Sequence, residues 1–246
     1  MRIVVDIGNT RIKAALEDAG HLRPLEACAW RNEALEPILA RTLEQAITPD
    51  EILVANVGGD AAADALTLFC EARWGLTPRF MRVQRECAGM TTHYDDPSRL
   101  GVDRWLAALA AWVETRAPVC VVDAGTALTV DVVTAKGDHR GGLIAPGLSL
   151  MARSLTQGTA QLDIDRLEPV AHFATNTRQG ISLGCREAIG GLLQRVAERW
   201  MRELGVAPRW IVTGGEAALV REACAFDLEW LPDLVHQGIV IAADAA

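Results

Sequence analysis

The sequence predicts an α/β fold built from two similar halves, with mixed β-sheets flanked by helices. Short apolar, β-branched segments alternate with longer segments of helical periodicity, an order typical of α/β proteins. A motif at residues 6–10 (Asp-Ile-Gly-Asn-Thr) returns at residues 123–126 (Asp-Ala-Gly-Thr), about half the chain later. Residues 52–59 and 210–215 also match, because each is an apolar strand that runs into small residues. A repeat on this scale predicts a duplicated fold with a cleft between the halves.

The composition excludes several classes of protein. The chain has 246 residues, half of them hydrophobic, and a formal net charge of −8. An acidic chain is a poor partner for nucleic acid or for an anionic membrane surface. Its six cysteines include no Cys-x-x-Cys, so we expect reduced core residues rather than disulfides or a metal site. The sequence shows no signal peptide and no apolar run of the roughly 20 residues that span a bilayer, so we expect a cytoplasmic protein.

The first half, residues 1–117, is expected to follow the order strand, hairpin, helix, strand, helix. Gly8 and Asn9 supply the first hairpin turn, since both residue types tolerate a positive φ. Three later helices have polar residues that suit N-caps, namely Asn32, Asp60 and Ser98. The predicted segments are a hairpin over 3–16, a strand over 27–30, a helix over 33–47, a strand over 52–57, a helix that ends before 75, a strand over 78–83, an irregular stretch over 86–97 and a helix from 98.

The second half, residues 118–246, is expected to repeat this plan. Its hairpin covers residues 119–134, and the glycine-rich stretch 141–147 would let backbones approach closely. A long helix over 177–204 contains four glycines, which close packing against another helix would explain. The other predicted segments are a helix over 148–156, a loop over 157–174, a strand over 210–213 with a helix after it, and a segment over 238–243 that fits a strand or a helix.

The first hairpin carries residue types that suit an anion. Exposed turn amides form a concave anion site, and Lys13 adds a point charge suited to phosphate. Asp6, at the strand end, is the kind of residue that holds Mg²⁺ directly or through water. An ordinary hairpin explains the same residues, and the second copy of the motif is what favours the functional explanation.

A second candidate group lies in the sequence Gly101-Val102-Asp103-Arg104, which opens a helix. An acidic residue in a first helical turn is favoured by the helix dipole, which is a purely structural explanation. Tyr94 is the only tyrosine of the chain and precedes this sequence in a polar stretch.

Together these motifs resemble the actin-like (ribonuclease H-like) ATPase superfamily and, within it, the type III pantothenate kinases. The superfamily likeness rests on the two Asp-x-Gly hairpins and on the Gly-Gly that ends strand 210–213. The likeness to the kinase family rests on Tyr94, then Pro97, then Gly-x-Asp-Arg at 101–104. The resemblance implies duplicated actin-like domains and ATP-dependent phosphorylation of pantothenate to 4′-phosphopantothenate, the first step of coenzyme A biosynthesis.

The resemblance also implies a role for each matched residue. Asp103 would be the general base, and Asp123 would hold a monovalent cation, K⁺ or NH₄⁺. It further implies ATP, Mg²⁺ and a homodimer whose substrate site lies at or near the subunit interface. The implied ATP-binding residues are Asp6, Ile7, Gly8, Asn9, Thr10, Arg11, Ile12, Lys13 and Thr126. The implied pantothenate-binding residues are Tyr94, Gly101, Val102, Asp103, Arg104 and Thr177, and Gly214 and Gly215 would lie on the adenosine side.

Elementary chemistry agrees with these roles and leaves alternatives open. Phosphoryl transfer depends mainly on positioning and electrostatic stabilisation, with a carboxylate that orients the attacking hydroxyl, and Arg104 offers a planar donor fork for a carboxylate. The sequence lacks the P-loop and Rossmann motifs. Another kinase or phosphohydrolase of the same fold, or a non-catalytic regulatory relative, remains possible, since fold does not fix function. Thr177 is explained equally well as a helix N-cap, and His93 fits a solvated loop residue better than a site residue.

Overall fold

The computed structural model describes residues 1–30, 35–43, 48–156, 167–168 and 172–245. Within these residues strands and helices alternate, so the α/β class is confirmed. The strands are β1 (Arg2–Ile7), β2 (Arg11–Asp18), β3 (His21–Pro24), β4 (Cys28–Ala29), β5 (Glu51–Asn56), β6 (Arg79–Phe80), β7 (Glu86–Cys87), β8 (Met90–Thr92), β9 (Val119–Ala124), β10 (Ala127–Val133), β11 (Asp138–Pro146), β12 (Arg209–Thr213) and β13 (Glu229–Trp230). The helices are α1 (Leu35–Leu43), α2 (Asp60–Trp74), α3 (Val102–Thr115), α4 (Leu148–Thr156), α5 (Thr177–Leu204), α6 (Ala217–Ala223) and α7 (Leu234–Asp244).

The chain forms two compact units. The first contains residues 1–116, 137–140 and 233–246, and the second contains residues 117–136 and 141–232. The change of unit after Arg116 lies beside the boundary expected at 117. Residues 137–140 and the C-terminal helix α7, however, group with the first unit rather than with the second half of the sequence.

The first unit is organised around strand β1. Its sheet has the order β3-β2-β1-β5-β6, with β4 beside β2. Strand β1 runs antiparallel to β2 and parallel to β5, and this register places Asp6 opposite Lys13. Apolar side chains of these strands pack against α1 and α2 in one buried core. Helices α3 and α7 approach closely at Gly238. Glycine permits this contact, because a side chain at this position would overlap the carbonyl oxygen of Leu106.

The second unit repeats the central arrangement. Its strands have the order β13-β12-β9-β10-β11, and β9 runs antiparallel to β10 and parallel to β12, as β1 does with β2 and β5. Its core packs these strands against α4, α5 and α6. The predicted repeat is therefore confirmed. The glycine-rich stretch is strand β11, where a Cβ at Gly142 would overlap the carbonyl of Val130.

The turn of the first hairpin differs from the prediction. Neither Gly8 nor Asn9 has a positive φ. The loop instead closes through a bond from the Gly8 amide to the Arg11 carbonyl at 3.0 Å. A side chain at Gly8 would lie 3.3 Å from that carbonyl, so glycine is favoured here by the close approach of backbone and not by its left-handed conformation.

Two of the predicted N-caps are wrong. Helix α2 begins at Asp60 itself, with Gly59 before it and no side-chain cap. The Asp96 side chain accepts bonds from the amide and hydroxyl of Ser98, which produces a short 3₁₀ turn over 97–99. Helix α3 starts only after Gly101. The third predicted cap, Asn32, lies outside the described residues, as does most of the predicted loop over 157–174.

The other differences concern additional strands and the C-terminal segment. Strands β3, β11 and β13 were not expected, and the stretch 86–97, expected to be irregular, contains the small hairpin of β7 and β8. The C-terminal segment is a helix, α7. In the described part of the chain, no helix is both long and apolar enough to cross a membrane.

The cysteines are core residues, as predicted. All six are free and five are buried. Burial raises the pKa of the Cys70 thiol to about 12 and that of Cys224 to about 11, so both stay as unreactive thiols at neutral pH.

Two adjacent glycines of α5 provide a matched test of packing. A Cβ at Gly190 would overlap the carbonyl of Ala223 in α6, whereas one at Gly191 meets nothing within 4 Å. We expect Gly190→Ala to lower the free energy of unfolding, because backbone must move. Gly191→Ala should raise it by up to about 1 kcal/mol, the usual helix-propensity gain. Chemical denaturation of both variants measures the difference, and equal effects would contradict the packing.

Candidate functional site

The first hairpin loop is supported by Trp30. The Trp30 indole nitrogen donates to the carbonyl of Gly8 at 2.9 Å, and its backbone amide donates to the carbonyl of Thr10 at 3.2 Å. Gly58 leaves room for this indole, since a Cβ there would come within 2.9 Å of both Trp30 and Ile7. The loop is therefore held from outside by a side chain, and its shape does not depend on the turn residues alone.

Asp6, the second-last residue of strand β1, is a buried carboxylate. Only 8 % of the residue is exposed, and burial raises the pKa of its carboxyl, while the nearby Lys13 and His236 oppose this shift. Among the described residues, no donor is hydrogen-bonded to this carboxylate. A desolvated carboxylate in this state suits a bound cation, which would replace the missing donors.

Asp103, Arg104 and Tyr94 come together at the start of helix α3. The Asp103 carboxylate accepts a bond from the Arg104 amide at 2.8 Å, and a Cβ at Gly101 would lie 2.6 Å from the same oxygen. Glycine at 101 therefore leaves space for the carboxylate. The buried Arg104 guanidinium lies 3.4 Å from the Tyr94 hydroxyl and 6.0 Å from the centre of its ring. The predicted substrate-binding residues of the first unit thus form one cluster.

A cavity of about 460 Å³ lies beside this cluster. Its lining residues are His93, Tyr94, Asp95, Asp96 and Arg99. His93 is exposed, as predicted, but it also lines the cavity and bonds to Asp138 at 3.0 Å. The volume suits a small polar molecule.

The second hairpin holds Asp123 and Thr126 at the end of β9. Asp123 is half-buried, and a Cβ at Gly214 would come within 2.5 Å of its carboxylate oxygen. The Gly147 amide donates to the Thr126 carbonyl at 3.0 Å. Gly214 and Gly147 thus let two neighbouring loops approach this hairpin, and for Gly147 this is the close backbone approach expected of the stretch 141–147.

Glu216 ties the second hairpin to helix α4. Its carboxylate accepts bonds from the amides of Leu148 at 2.9 Å and Ser149 at 3.1 Å, which caps the first turn of α4. Its own amide donates to the carbonyl of Ala124 at 2.8 Å. Sequence reasoning missed Glu216 because its partners lie 67 and 68 residues away along the chain.

Thr177 is not the N-cap of helix α5. That position belongs to Asn176, whose side chain accepts a bond from the Gln179 amide at 2.9 Å. Thr177 is the first helical residue and is exposed, so the capping explanation of its place in the motif is wrong. Contact between its hydroxyl and a substrate stays a prediction.

The structure distributes the predicted residues over both units. The first unit contains residues 6–13 and the cluster of Tyr94 with residues 101–104, and the second contains Asp123, Thr126 and Thr177. No group of three or more potential metal-binding side chains occurs in the part of the chain that the structure describes.

The repeated strand–hairpin arrangement defines the class of protein, a duplicated actin-like ATPase fold. Solved structures agree on this fold. A conserved Baf family protein from Campylobacter jejuni has a TM-score of 0.61 and 19% identity, with 98% of this chain and 97% of that chain covered. Component A of (R)-2-hydroxyglutaryl-CoA dehydratase from Acidaminococcus fermentans has a TM-score of 0.55 and 15% identity, with 99% and 96% covered. A glucokinase from Streptomyces griseus, solved with glucose and AMPPNP, has a TM-score of 0.50 and 15% identity, with 100% and 98% covered.

Sequence comparison then identifies the family. The family model for type III pantothenate kinase matches residues 2–199. The type III pantothenate kinase of Nitrosococcus oceani is 32% identical over 99% of this chain and 94% of its own length. The type III pantothenate kinase of Methylibium petroleiphilum is 36% identical over 98% of this chain and 97% of its own length. The chain belongs to the type III pantothenate kinase family.

The buried carboxylate of Asp6 predicts a gain in stability when its charge is removed. Its pKa is raised in the folded state, so ionisation opposes folding. The loss of folding free energy caused by this ionisation is absent below the unfolded-state pKa of about 3.9. It is complete above the folded-state pKa. We therefore expect Asp6→Asn to have a higher Tm than the wild type at neutral pH, by about 2–4 °C for each kcal/mol relieved, and the gain should shrink in acid.

Thermal unfolding measured between about pH 4 and pH 8 tests this effect. The lower limit of this range lies close to the pKa of aspartate in the unfolded chain. Asp18→Asn is the control, because Asp18 is exposed on the same hairpin. An equal Tm for wild type and Asp6→Asn at neutral pH would contradict the burial penalty.

Proposed function

We propose that Asp103 is the general base of a pantothenate kinase reaction and that Tyr94 and Arg104 bind the acceptor. Family membership gives the reaction itself, the ATP-dependent phosphorylation of pantothenate to 4′-phosphopantothenate in coenzyme A biosynthesis. The observation that carries the proposal is the cluster of Asp103, Arg104 and Tyr94 at one helix start.

The geometry at Asp103 suits a base. Its carboxylate is fixed by the bond from the Arg104 amide, and the residue is only half-buried, so a substrate hydroxyl has access to it. A base in phosphoryl transfer orients the attacking hydroxyl and accepts its proton, and this depends on hydrogen-bond distance more than on a special pKa.

Arg104 would bind the pantothenate carboxylate. The residue is 7% exposed, and the Tyr94 hydroxyl and ring lie beside its guanidinium. A planar guanidinium donates two parallel bonds to a carboxylate, a geometry that lysine cannot reproduce. The same contact would orient pantothenate with its hydroxyl towards Asp103.

Residues 6–13 and Thr126 would contact ATP, as the family resemblance implies. The positive charge of Lys13 suits phosphate oxygens, while the Gly8 amide is already used by the Arg11 carbonyl and shapes the loop. The buried carboxylate of Asp6 fits Mg²⁺ as an oxygen ligand, directly or through water. When bound, the metal neutralises charge on the phosphates during transfer.

Asp123 would hold a monovalent cation, K⁺ or NH₄⁺. The half-buried carboxylate of Asp123 and the nearby carbonyl of Ala124 offer oxygen ligands, which suit a weakly held cation better than a transition metal. We also propose a cytoplasmic homodimer, as the family resemblance implies. Gly214 and Gly215 would lie on the adenosine side.

The first experiment is an acceptor assay on the purified protein with ATP, Mg²⁺ and K⁺. Pantothenate should be phosphorylated, while glucose, acetate and water should not be. Asp103→Asn should keep the Tm and lose at least about 100-fold in kcat, the usual contribution of a positioned base. Asp64→Asn, which removes an exposed carboxylate in α2 of the same unit, is the matched control. A wild-type kcat for Asp103→Asn would reject the assignment of the base.

The cation proposal has its own test. Asp123→Ala should abolish the preference for K⁺ over Na⁺ in the steady-state rate, because the carboxylate that holds the ion is lost. Asp227→Ala removes an exposed carboxylate of the same unit and should leave the preference intact. If Asp123→Ala retained the wild-type ratio of rates in K⁺ and Na⁺, the cation would have to bind elsewhere.

A further inference from the structure

We propose that Arg85 is a positioning residue that, with the buried Thr92 and His139, holds Tyr94 in place for pantothenate. The inference rests on the proposed function, because it concerns the same substrate site. None of the motifs in the sequence includes Arg85, and its role follows from its contacts in the structure.

Arg85 bonds to a run of backbone carbonyls. Its Nη1 atom donates to the carbonyl oxygens of Thr92 at 3.0 Å and Tyr94 at 2.7 Å, and Nη2 donates to that of Asp95 at 3.4 Å. The carbonyl of Arg85 in turn accepts a bond from the Thr92 amide at 2.9 Å. A guanidinium has five donors in a rigid fork, so one side chain can fix the whole stretch 92–95.

The hydrogen bonds of Arg85 fix the conformation of the backbone and do not form an ion pair. Among the described residues, no carboxylate oxygen lies within ion-pair distance of its guanidinium. The residue is exposed, so its charge remains solvated and its desolvation cost is small. What the side chain contributes is therefore the conformation of the loop.

A buried pair supports the same loop from below. The Thr92 hydroxyl lies 3.0 Å from Nδ1 of His139, and the two residues are 1% and 0% exposed. The same hydroxyl accepts the Tyr94 amide at 3.4 Å. The His93 amide donates to the His139 carbonyl at 2.9 Å. Tyr94 is thus held at its amide by Thr92 and at its carbonyl by Arg85.

This arrangement determines where the Tyr94 side chain lies. Its hydroxyl faces the Arg104 guanidinium, and its ring borders the cavity that residues 93–96 and Arg99 line. A loop that is ordered before binding costs the ligand less entropy than one that must be ordered on binding. Loss of the Arg85 bonds should therefore weaken pantothenate binding and leave ATP binding unchanged.

The test is steady-state kinetics on the full chain. Arg85→Ala should raise the KM for pantothenate about tenfold, the effect of losing charge-assisted bonds, with the KM for ATP unchanged. Arg85→Lys should recover only part of the loss, because an ammonium group lacks the fork. Arg82→Ala removes an equal charge from an exposed residue of the same segment and should match the wild type.

A double mutant separates positioning from general stability. If Arg85 acts through Tyr94, then Arg85→Ala should have little further effect on the KM for pantothenate in a Tyr94→Ala background. Thr92→Val should raise the same KM, and Thr92→Ser, which keeps the hydroxyl, should restore it. Fully additive effects of Arg85→Ala and Tyr94→Ala, or an equal rise in both KM values, would overturn the inference.

The two proposals fail in different ways. A wild-type protein that does not phosphorylate pantothenate would reject the proposed function, and with it this inference. An active wild type whose Arg85→Ala variant keeps the KM for pantothenate would reject the inference alone.

Discussion

Each unit depends on one strand that is paired on both sides, antiparallel to its hairpin partner and parallel to a more distant strand. Strands β1 and β9 are buried on both faces, which is why they appear in the sequence as continuous β-branched runs. Because the pairing fixes the register, the residue at the end of each strand has no freedom of position. The backbones of Asp6 and Asp123 are therefore held by the sheet.

Glycines then determine how closely other segments approach these strands. Gly142 and Gly147 in one unit, and Gly58 and Gly238 in the other, each face a neighbour that a side chain would touch or overlap. At Gly58 the neighbouring atoms belong to side chains. At the other three glycines the nearest neighbour is backbone. Contacts of this kind cannot relax by a change of rotamer, so they set distances in the site more firmly than apolar packing does.

The sequence predicted the features that are local or repeated. The two hairpins and the long helix α5 follow from hydrophobic periodicity and from the repeated motif, whereas the cluster at 101–104 was expected from the family resemblance. Helix caps were less predictable, because two residues that can cap stand close together in the sequence at both places. The structure uses Asp96 rather than Ser98, and Asn176 rather than Thr177. Supporting residues were missed for a different reason. Trp30, Arg85 and Glu216 act through backbone atoms of distant segments, and backbone partners leave no pattern in a sequence.

The cap that Glu216 forms on helix α4 has a consequence for nucleotide orientation. A helix start normally attracts anions, but here a resident carboxylate already satisfies the first amides of α4 and places a negative charge there. A triphosphate would be repelled from this position and would lose the competition for those amides. A nucleotide bound in this unit would therefore have its phosphates oriented away from the start of α4.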